Sequence, residues 1–307
     1  MSYQESYVTT EDGVRLYVQR SGDGQPALVV LNGLFLFDHF QQLAGDRTII
    51  FVDPRSGGRS EAVTDVSRLS QGVHHTVDDV EAIRRHFDLG KIAVLGHSYM
   101  GFAAVLYALK YPAHASRVVQ IGPMEPRPGV SYPSHLTGAD DALHEALVQL
   151  GDLMARREFL DPRQFCRLFW SIVLPIYVVN PADTVKLKWD RCDLPNQLNF
   201  MANWMGHLLP SIVRLKLSKD TLAGAALPVL IIHGRTDRSA PYGGAREWAL
   251  MLPNARLVTV EHAGHAPWIE NPQLVFDSVA TFLDGVWPEA SHSVTALDPN
   301  DEASALV

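Results

Sequence analysis

The sequence predicts an α/β fold, with a doubly wound, mostly parallel β-sheet and an inserted helical cap. Unbroken apolar runs recur along the chain, as is typical of strands buried on both faces of a parallel sheet. Helical stretches alternate with these runs, which indicates strand–helix–strand units. The apolar runs are 27–31, 48–52, 92–95, 118–121, 229–232 and 257–260, and the helical stretches are 77–87, 99–110, 243–252 and 274–286.

The chain begins with the pattern of a β-hairpin. Apolar and polar residues alternate over 7–10 and 14–18, on either side of Asp12-Gly13. An Asp-Gly pair flanked by such alternation favours a tight turn between two antiparallel strands. We therefore expect an antiparallel hairpin before the parallel strands.

The interval 124–226 differs from the rest because it contains no clear buried strand. It opens with a proline-rich stretch and contains helix-like segments at 141–157, 163–173 and 196–209. Open α/β sheets bind ligands at the carboxyl ends of their strands, so we expect this interval to cap that edge. The core would then comprise 1–123 and 227–287. The small, polar residues of 288–307 predict a disordered tail.

The composition narrows the function classes. With 307 residues, 47% of them hydrophobic, the chain is long enough for a sizeable core. Lys plus Arg is 26 and Asp plus Glu is 34, so the formal charge is 26 − 34 = −8, which argues against a nucleic-acid partner. The chain shows no leader pattern and no apolar stretch of membrane-spanning length, so we expect a cytoplasmic protein with no membrane partner. Cys166 and Cys192 lack metal-ligand or redox spacing, and free thiols are favoured over a disulfide.

The strongest chemical signal is Gly96-His97-Ser98-Tyr99-Met100-Gly101, between the apolar run 92–95 and a helical stretch. A serine in such a strand–turn–helix is held clear of the sheet in a strained conformation, beside the free N–H groups of the helix. A site with Ser98 as nucleophile is the leading hypothesis, although so short a motif also occurs by chance.

Two downstream residues complete a nucleophilic site. A serine hydroxyl needs an imidazole to remove its proton and a carboxylate to orient that imidazole. Asp237 follows the run 229–232 and His265 follows the run 257–260, so both lie in loops at the carboxyl ends of predicted strands. We predict His265 as general base and Asp237 as its partner, with His262 and Glu125 as the less favoured alternatives.

The order Ser, Asp, His and the loop positions resemble the α/β-hydrolase family over nearly the whole chain, apart from the insertion and the tail. The segment 265–272 is similar to the family's catalytic-histidine segment. Asp53-Pro54-Arg55-Ser56-Gly57-Gly58-Arg59-Ser60 is similar to a stretch of its proline iminopeptidase-like and epoxide hydrolase-like branches. The resemblance implies an oxyanion hole formed by the N–H groups of Leu34 and Tyr99.

Two residues depart from the family pattern. Asn32 stands before Gly33 where family members usually have histidine, and Met100 stands where the family keeps a small residue. We expect the Met100 side chain to narrow the substrate pocket, with packing into the sheet as the alternative. The remaining pocket candidates are Asn32, Phe35, Phe169, Trp204 and Trp268.

The predicted function is a serine hydrolase that cleaves a small, largely apolar ester, lactone or amide through an acyl-enzyme on Ser98. It needs a small-molecule substrate and neither a cofactor nor a metal. The alternatives are a proline iminopeptidase-like aminopeptidase, a lyase, cyclase or decarboxylase that uses the same residues for proton transfer, and a ligand-binding receptor. The natural substrate stays open, and so does the choice between a monomer and a homodimer.

Overall fold

The computed structural model describes residues 3–300, which form an eight-stranded sheet in the order β1-β2-β4-β3-β5-β6-β7-β8. The β1–β2 and β2–β4 pairs are antiparallel and the other neighbours are parallel. The strands are Tyr3–Thr9 (β1), Arg15–Ser21 (β2), Ala27–Leu31 (β3), Ile49–Val52 (β4), Ile92–His97 (β5), Ala115–Ile121 (β6), Val229–Gly234 (β7) and Ala255–Val260 (β8). The predicted doubly wound, mostly parallel sheet is confirmed.

Helices cover both faces of this sheet. They are Gly33–Phe40 (α1), Val73–His86 (α2), Met100–Lys110 (α3), Asp141–Ala155 (α4), Pro162–Val173 (α5), Gln197–Asn203 (α6), Leu209–Val213 (α7), Lys219–Leu222 (α8), Tyr242–Met251 (α9), Pro267–Glu270 (α10) and Pro272–Leu283 (α11). Alternate residues of each strand face opposite sides: Val29 packs in the layer with α2, α3 and α9, whereas Leu28 packs in the layer with α1 and α11. This alternation explains why the central strands are apolar throughout.

The N-terminal hairpin forms as predicted. Val8 pairs with Leu16, and the N–H of Gly13 donates to the Thr10 carbonyl across the turn at 2.9 Å. Helix α1, by contrast, was not anticipated. Its apolar residues crowd together without helical spacing, so the pattern does not distinguish a helix from a buried loop.

The interval between β6 and β7 contains α4 to α8 and a π-helical turn over Trp204–Leu208. Its helices agree with the sequence pattern, while its boundaries as a cap domain stay a prediction. The expectation of free thiols is wrong. Cys166 on α5 and Cys192 before α6 form a disulfide with a Cα–Cα distance of 5.9 Å. Their separation of 26 residues gave no sign that the fold brings both into one buried aromatic cluster.

The disordered-tail prediction is wrong for 288–300. Leu257 and His292 exchange two backbone hydrogen bonds of 2.9 Å, and the side chain of Val294 is buried. Arg246 donates to the carbonyls of Ala296 and Leu297 at 2.8 and 2.7 Å. This segment is ordered although it is small and polar, because Leu257 and Arg246 of the core form hydrogen bonds with its backbone groups. Residues 301–307 lie outside the described residues. Within 3–300, every helix is too short or too polar to cross a lipid bilayer.

Candidate active site

Ser98 lies on the tight turn between β5 and α3. Its φ of 57° is in the left-handed region, which is costly for a non-glycine residue. Main-chain hydrogen bonds hold this conformation: the Ser98 N–H donates to the Ile121 carbonyl at 3.0 Å, and the Ser98 carbonyl accepts from Gly101 and Met124 at 2.9 and 3.3 Å. The serine therefore sits in the strained, braced turn that the sequence motif predicts.

Gly96 allows this turn to be tight. A Cβ on Gly96 would lie 2.2 Å from the Met100 carbonyl oxygen, closer than any side chain tolerates. The strand can thus approach the first turn of α3 only where residue 96 has no side chain.

Met100 does not occupy the place expected of it. Its side chain is 1% exposed and lines the same small internal cavity as Leu31, Val52, Val80 and Ile83, in the layer between the sheet and α2. Long side chains on a helix lean back toward its N-terminus, which directs Met100 onto the ends of β3 and β4. The expectation that Met100 narrows the substrate pocket is wrong, and the alternative of core packing holds.

Asp237 and His265 meet above the neighbouring strands β7 and β8. Oδ2 of Asp237 lies 2.8 Å from Nδ1 of His265, and both side chains are fully buried. The other carboxylate oxygen accepts the N–H groups of Ser239 and Ala240 at 2.7 and 2.9 Å. Because the carboxylate accepts at Nδ1, the proton of a neutral His265 ring sits there and Nε2 is the free base.

The charge of Asp237 is stabilised by two histidines. Burial alone would raise the pKa of this carboxyl, but His265 and His233 outweigh burial and hold the pKa well below its ordinary value. Nε2 of His233 lies 3.3 Å from Asp237 Oδ2 and 3.0 Å from the Ala240 carbonyl oxygen. Both partners are acceptors, so this nitrogen carries a proton. Asp237 consequently stays ionised at neutral pH. No motif in the sequence pointed to His233.

Two rings enclose the His265 imidazole. The ring centroids of His97 and Tyr177 lie 4.6 and 4.7 Å from that of His265. Burial raises the pKa of Tyr177 to about 12, so its phenol is neutral. The Nε2 atom of His265 is buried and has no hydrogen-bond partner within residues 3–300. This is the nitrogen that a serine proton would have to reach.

His97 supports the site without acting as a base. Its Nε2 donates to the His265 carbonyl at 2.9 Å. Burial, together with the nearby His265, holds the pKa of His97 well below its ordinary value, so the ring is neutral. Because His97 directly precedes Ser98, this hydrogen bond ties the nucleophile turn to the histidine loop.

The candidate oxyanion donors lie at two adjacent helix starts. Leu34 is in the first turn of α1 and Tyr99 immediately precedes α3, and the strands that lead into these helices, β3 and β5, are neighbours. The first N–H groups of a helix lack an intrahelical acceptor. Asn32 has a φ of 66°, and its Nδ2 lies 3.5 Å from the Tyr99 hydroxyl. This long contact links the two helix starts.

The remaining pocket candidates are spread over an aromatic cluster. Phe35 contacts the rings of Trp170, Trp189 and Phe200 at 5.3, 5.1 and 6.1 Å, and its carbonyl accepts the Trp189 indole N–H at 2.8 Å. Three rings from the inserted segment thus pack on the residue that follows Leu34. Trp189 had no local sequence signal, because its neighbours come from distant parts of the chain.

Three further candidates lie at different distances from the turn. The Trp204 ring centroid is 6.2 Å from that of Tyr99. Trp268 is buried and its ring lies 4.9 Å from that of His97. Phe169 is half-buried and contacts Phe165 within its own helix. The structure therefore brings Trp204 and Trp268 beside the Ser98 turn, whereas the described ring contacts of Phe169 stay within α5.

The weaker alternatives occupy other positions. His262 is exposed, and Asp237 bonds to His265 instead. Glu125 packs against α9, where a Cβ on Gly244 would lie 2.7 Å from the Glu125 Cβ, and burial raises the pKa of this carboxyl.

The segment Asp53–Ser60 forms hydrogen bonds with the region of α6 and so connects that helix to the core. Asp53 accepts from the backbone N–H and Nε of Arg59 at 3.0 and 2.8 Å. Asn196 and Asn203 donate their side-chain amides to the Ser60 and Arg55 carbonyls at 2.6 and 3.2 Å. The described contacts of this segment are therefore structural.

Comparison with known families agrees with this geometry. A family model described as the alpha/beta hydrolase fold matches residues 26–272. The chain belongs to this family. The matched range runs from β3 to the start of α11, and so includes Ser98, Asp237 and His265.

Two curated relatives share about a quarter of their aligned residues with this chain. The chain is 25% identical over 297 residues to the AB hydrolase superfamily protein YisY of Bacillus subtilis, covering 90% of this chain and 98% of that one. It is 24% identical over 223 residues to a proline iminopeptidase of Elizabethkingia meningoseptica, covering 68% and 72%. The solved structure of an esterase from Exiguobacterium antarcticum aligns with a TM-score of 0.68 at 18% identity, covering 92% of this chain and all of that one (100%). This structural likeness concerns the fold alone.

Proposed function

We propose that this protein is a serine hydrolase that cleaves a small, largely apolar ester, lactone or amide through an acyl-enzyme on Ser98. One observation carries the proposal. His265 is bonded through Nδ1 to a buried, ionised Asp237, while its Nε2 is buried without a partner within residues 3–300. A general base next to a strained serine turn has this arrangement.

The proposed reaction begins when Ser98 Oγ attacks the carbonyl carbon of the substrate and its proton passes to His265 Nε2. The carbonyl π-bond opens to an oxyanion, which the N–H groups of Leu34 and Tyr99 stabilise. Asp237 keeps its negative charge and offsets that of the imidazolium.

The tetrahedral intermediate then collapses to an acyl-enzyme. The bond to the leaving oxygen or nitrogen breaks, and the leaving group takes the proton from the histidine. A water molecule then hydrolyses the acyl-enzyme by the same steps. The histidine removes a proton from the water, the water oxygen attacks the acyl carbon, and Ser98 regains a proton as the acid departs.

The surroundings support an apolar substrate. The Phe35 ring beside the proposed oxyanion hole packs with tryptophan and phenylalanine rings, and Tyr99 packs near Phe200 and Trp204. Such aromatic walls favour apolar groups. The esterase named above shares the fold, which is compatible with the proposal.

A second candidate function is removal of an N-terminal residue from a peptide, favoured by the proline iminopeptidase relative and by the segment Asp53–Ser60. The described hydrogen bonds of that segment join its own residues to one another or to other parts of the protein, including Asp12, Asp79 and the region of α6. The ester reaction is therefore the better supported of the two.

Labelling with a fluorophosphonate probe tests the proposal. The probe should modify the wild-type protein at Ser98 and leave Ser98→Ala unmodified, and the wild type should hydrolyse short 4-nitrophenyl esters faster than proline 4-nitroanilide. Proline anilide as the better substrate would favour the aminopeptidase. Absence of both labelling and turnover would favour a receptor, and labelling without any acyl hydrolysis would favour a non-hydrolytic enzyme.

A further inference from the structure

Gln197, the first residue of α6, is a buried amide without a partner. Its side chain is 0% exposed, and neither Oε1 nor Nε2 forms a hydrogen bond within residues 3–300. Rotating the amide by half a turn only exchanges the two atoms, so the choice of orientation does not remove the problem. A buried polar group in this condition destabilises a protein unless something else binds it.

The position of Gln197 on its helix directs it toward the Ser98 turn. Positions 197, 200, 201 and 204 follow the spacing i, i+3, i+4, i+7 and so share one helical face. On this face, the Phe200 and Trp204 rings lie 6.5 and 6.2 Å from that of Tyr99, the residue after the proposed nucleophile. Gln197 therefore belongs to the face of α6 that covers the proposed active site.

Two more buried polar atoms near Tyr99 also lack partners within the described residues. They are Nε1 of Trp204, which is a donor, and Oδ1 of Asn32, which is an acceptor. Trp204 also begins the π-helical turn over Trp204–Leu208, a feature that often marks functional sites. Gln197 and these two groups give this region two donors and two acceptors that the protein itself leaves unused.

The other buried side-chain amide of α6, that of Asn203, does have a hydrogen-bond partner. Asn203 donates to the Arg55 carbonyl at 3.2 Å, on the side of the helix that packs against the core. The helix thus satisfies the amide that faces the core and leaves unsatisfied the amide that faces the site.

We propose that Gln197 binds a neutral amide-type group of the substrate, such as a lactam or a carboxamide, at a distance from the bond that is cleaved. The planar Gln side chain offers one donor and one acceptor side by side, which matches the N–H and C=O edge of a cis amide. A carboxylate has no donor for Oε1, and an ammonium group has no acceptor for Nε2. This inference rests on the proposed function, because it extends the site of Ser98.

Binding measured by calorimetry tests the inference without requiring turnover. The probes are δ-valerolactam and cyclohexanone, six-membered rings of similar size that differ in the N–H. The wild type should bind the lactam at least about tenfold more tightly, since a site built for a hydrogen bond rejects the analogue that lacks it. Gln197→Met, which keeps the length of the side chain, should remove that preference.

Melting temperatures provide a second readout with a matched control. Gln197→Met should raise the melting temperature because it removes an unsatisfied amide, whereas Asn203→Leu should lower it because it breaks a satisfied one. A lowered melting temperature for Gln197→Met would show that the amide has a structural partner and would overturn the inference. The inference would also be overturned by a wild type that does not prefer the lactam or that binds neither probe.

Fluorophosphonate labelling of the wild type separates the two proposals. Lactam preference without labelling would support the Gln197 site and refute the serine hydrolase. Labelling and ester hydrolysis without lactam preference would support the hydrolase and refute the Gln197 site.

Discussion

Replacing Met100 with alanine should lower the free energy of unfolding by about 2–5 kcal/mol, the usual cost of shortening a buried methionine. The Met100 side chain is 1% exposed and lies under the ends of β3 and β4. Strands paired on both sides cannot close around a cavity, so the loss should fall in the upper half of that range.

The expected change in melting temperature follows from the length of the chain. An unfolding entropy of about 2.1 cal/mol/K per residue gives about 0.6 kcal/mol/K for 307 residues. A loss in the upper half of that range, about 3.5–5 kcal/mol, then lowers the melting temperature by about 5–8 °C. Met100→Leu, which nearly conserves volume, should cost less than about 1.5 kcal/mol.

The assay combines thermal unfolding with hydrolysis of 4-nitrophenyl esters of increasing acyl length. Met154→Ala is the matched control, because Met154 is 39% exposed and its loss should change stability by less than about 0.5 kcal/mol. Met100→Ala should keep the acyl-length preference of the wild type. An unchanged melting temperature together with a shift toward longer acyl chains would refute the core placement.

Asp237→Asn should reduce kcat by orders of magnitude because the imidazole loses its charged partner, whereas Glu125→Gln should change it little; the reverse ranking in steady-state kinetics would contradict the assigned acid. Serine at both Cys166 and Cys192 should lower stability by about 3–4 kcal/mol, the chain-entropy value for a loop of 26 residues, and a non-reducing mass measurement that finds two free thiols in the wild type would contradict the disulfide. Burial lowers the pKa of His97 in the folded protein, so folding favours the neutral ring. The contribution of His97 to the free energy of unfolding is therefore complete above pH about 6.5, the ordinary histidine pKa. It is lost as the pH falls toward the lowered pKa. His97→Asn should flatten the acid side of a plot of melting temperature against pH, and an unchanged slope would contradict this origin.

Local patterns were enough to predict the sheet. Each central strand is buried on both faces, so its residues are apolar without alternation, and this signal needs no knowledge of distant contacts. Asp237 and His265 were located for a related reason: each follows such a strand directly, and the carboxyl ends of parallel strands meet at one edge. The Ser98 turn carries a further local signal, because Gly96 stands two residues before the serine, where the strand contacts the helix.

Several features that the sequence does not reveal depend on contacts that form only in the folded chain. Cys166 and Cys192 meet only because α5 and the chain before α6 pack into one aromatic cluster. His233 reaches Asp237 because the loop after β7 folds back on its own strand. Gln197 is noteworthy only for the partners it lacks, which no sequence pattern reveals.

Intact-protein and peptide mass spectrometry after rapid acid quench with a 4-nitrophenyl ester tests whether Ser98 carries the acyl group. Within the first turnovers, the mass of the protein should rise by one acyl group, located on the peptide that contains Ser98. Ser98→Ala should form no adduct and lose turnover by about a millionfold, as expected when a triad acts as a unit. An acyl group on a different residue, or undiminished ester hydrolysis by Ser98→Ala, would contradict the proposed mechanism.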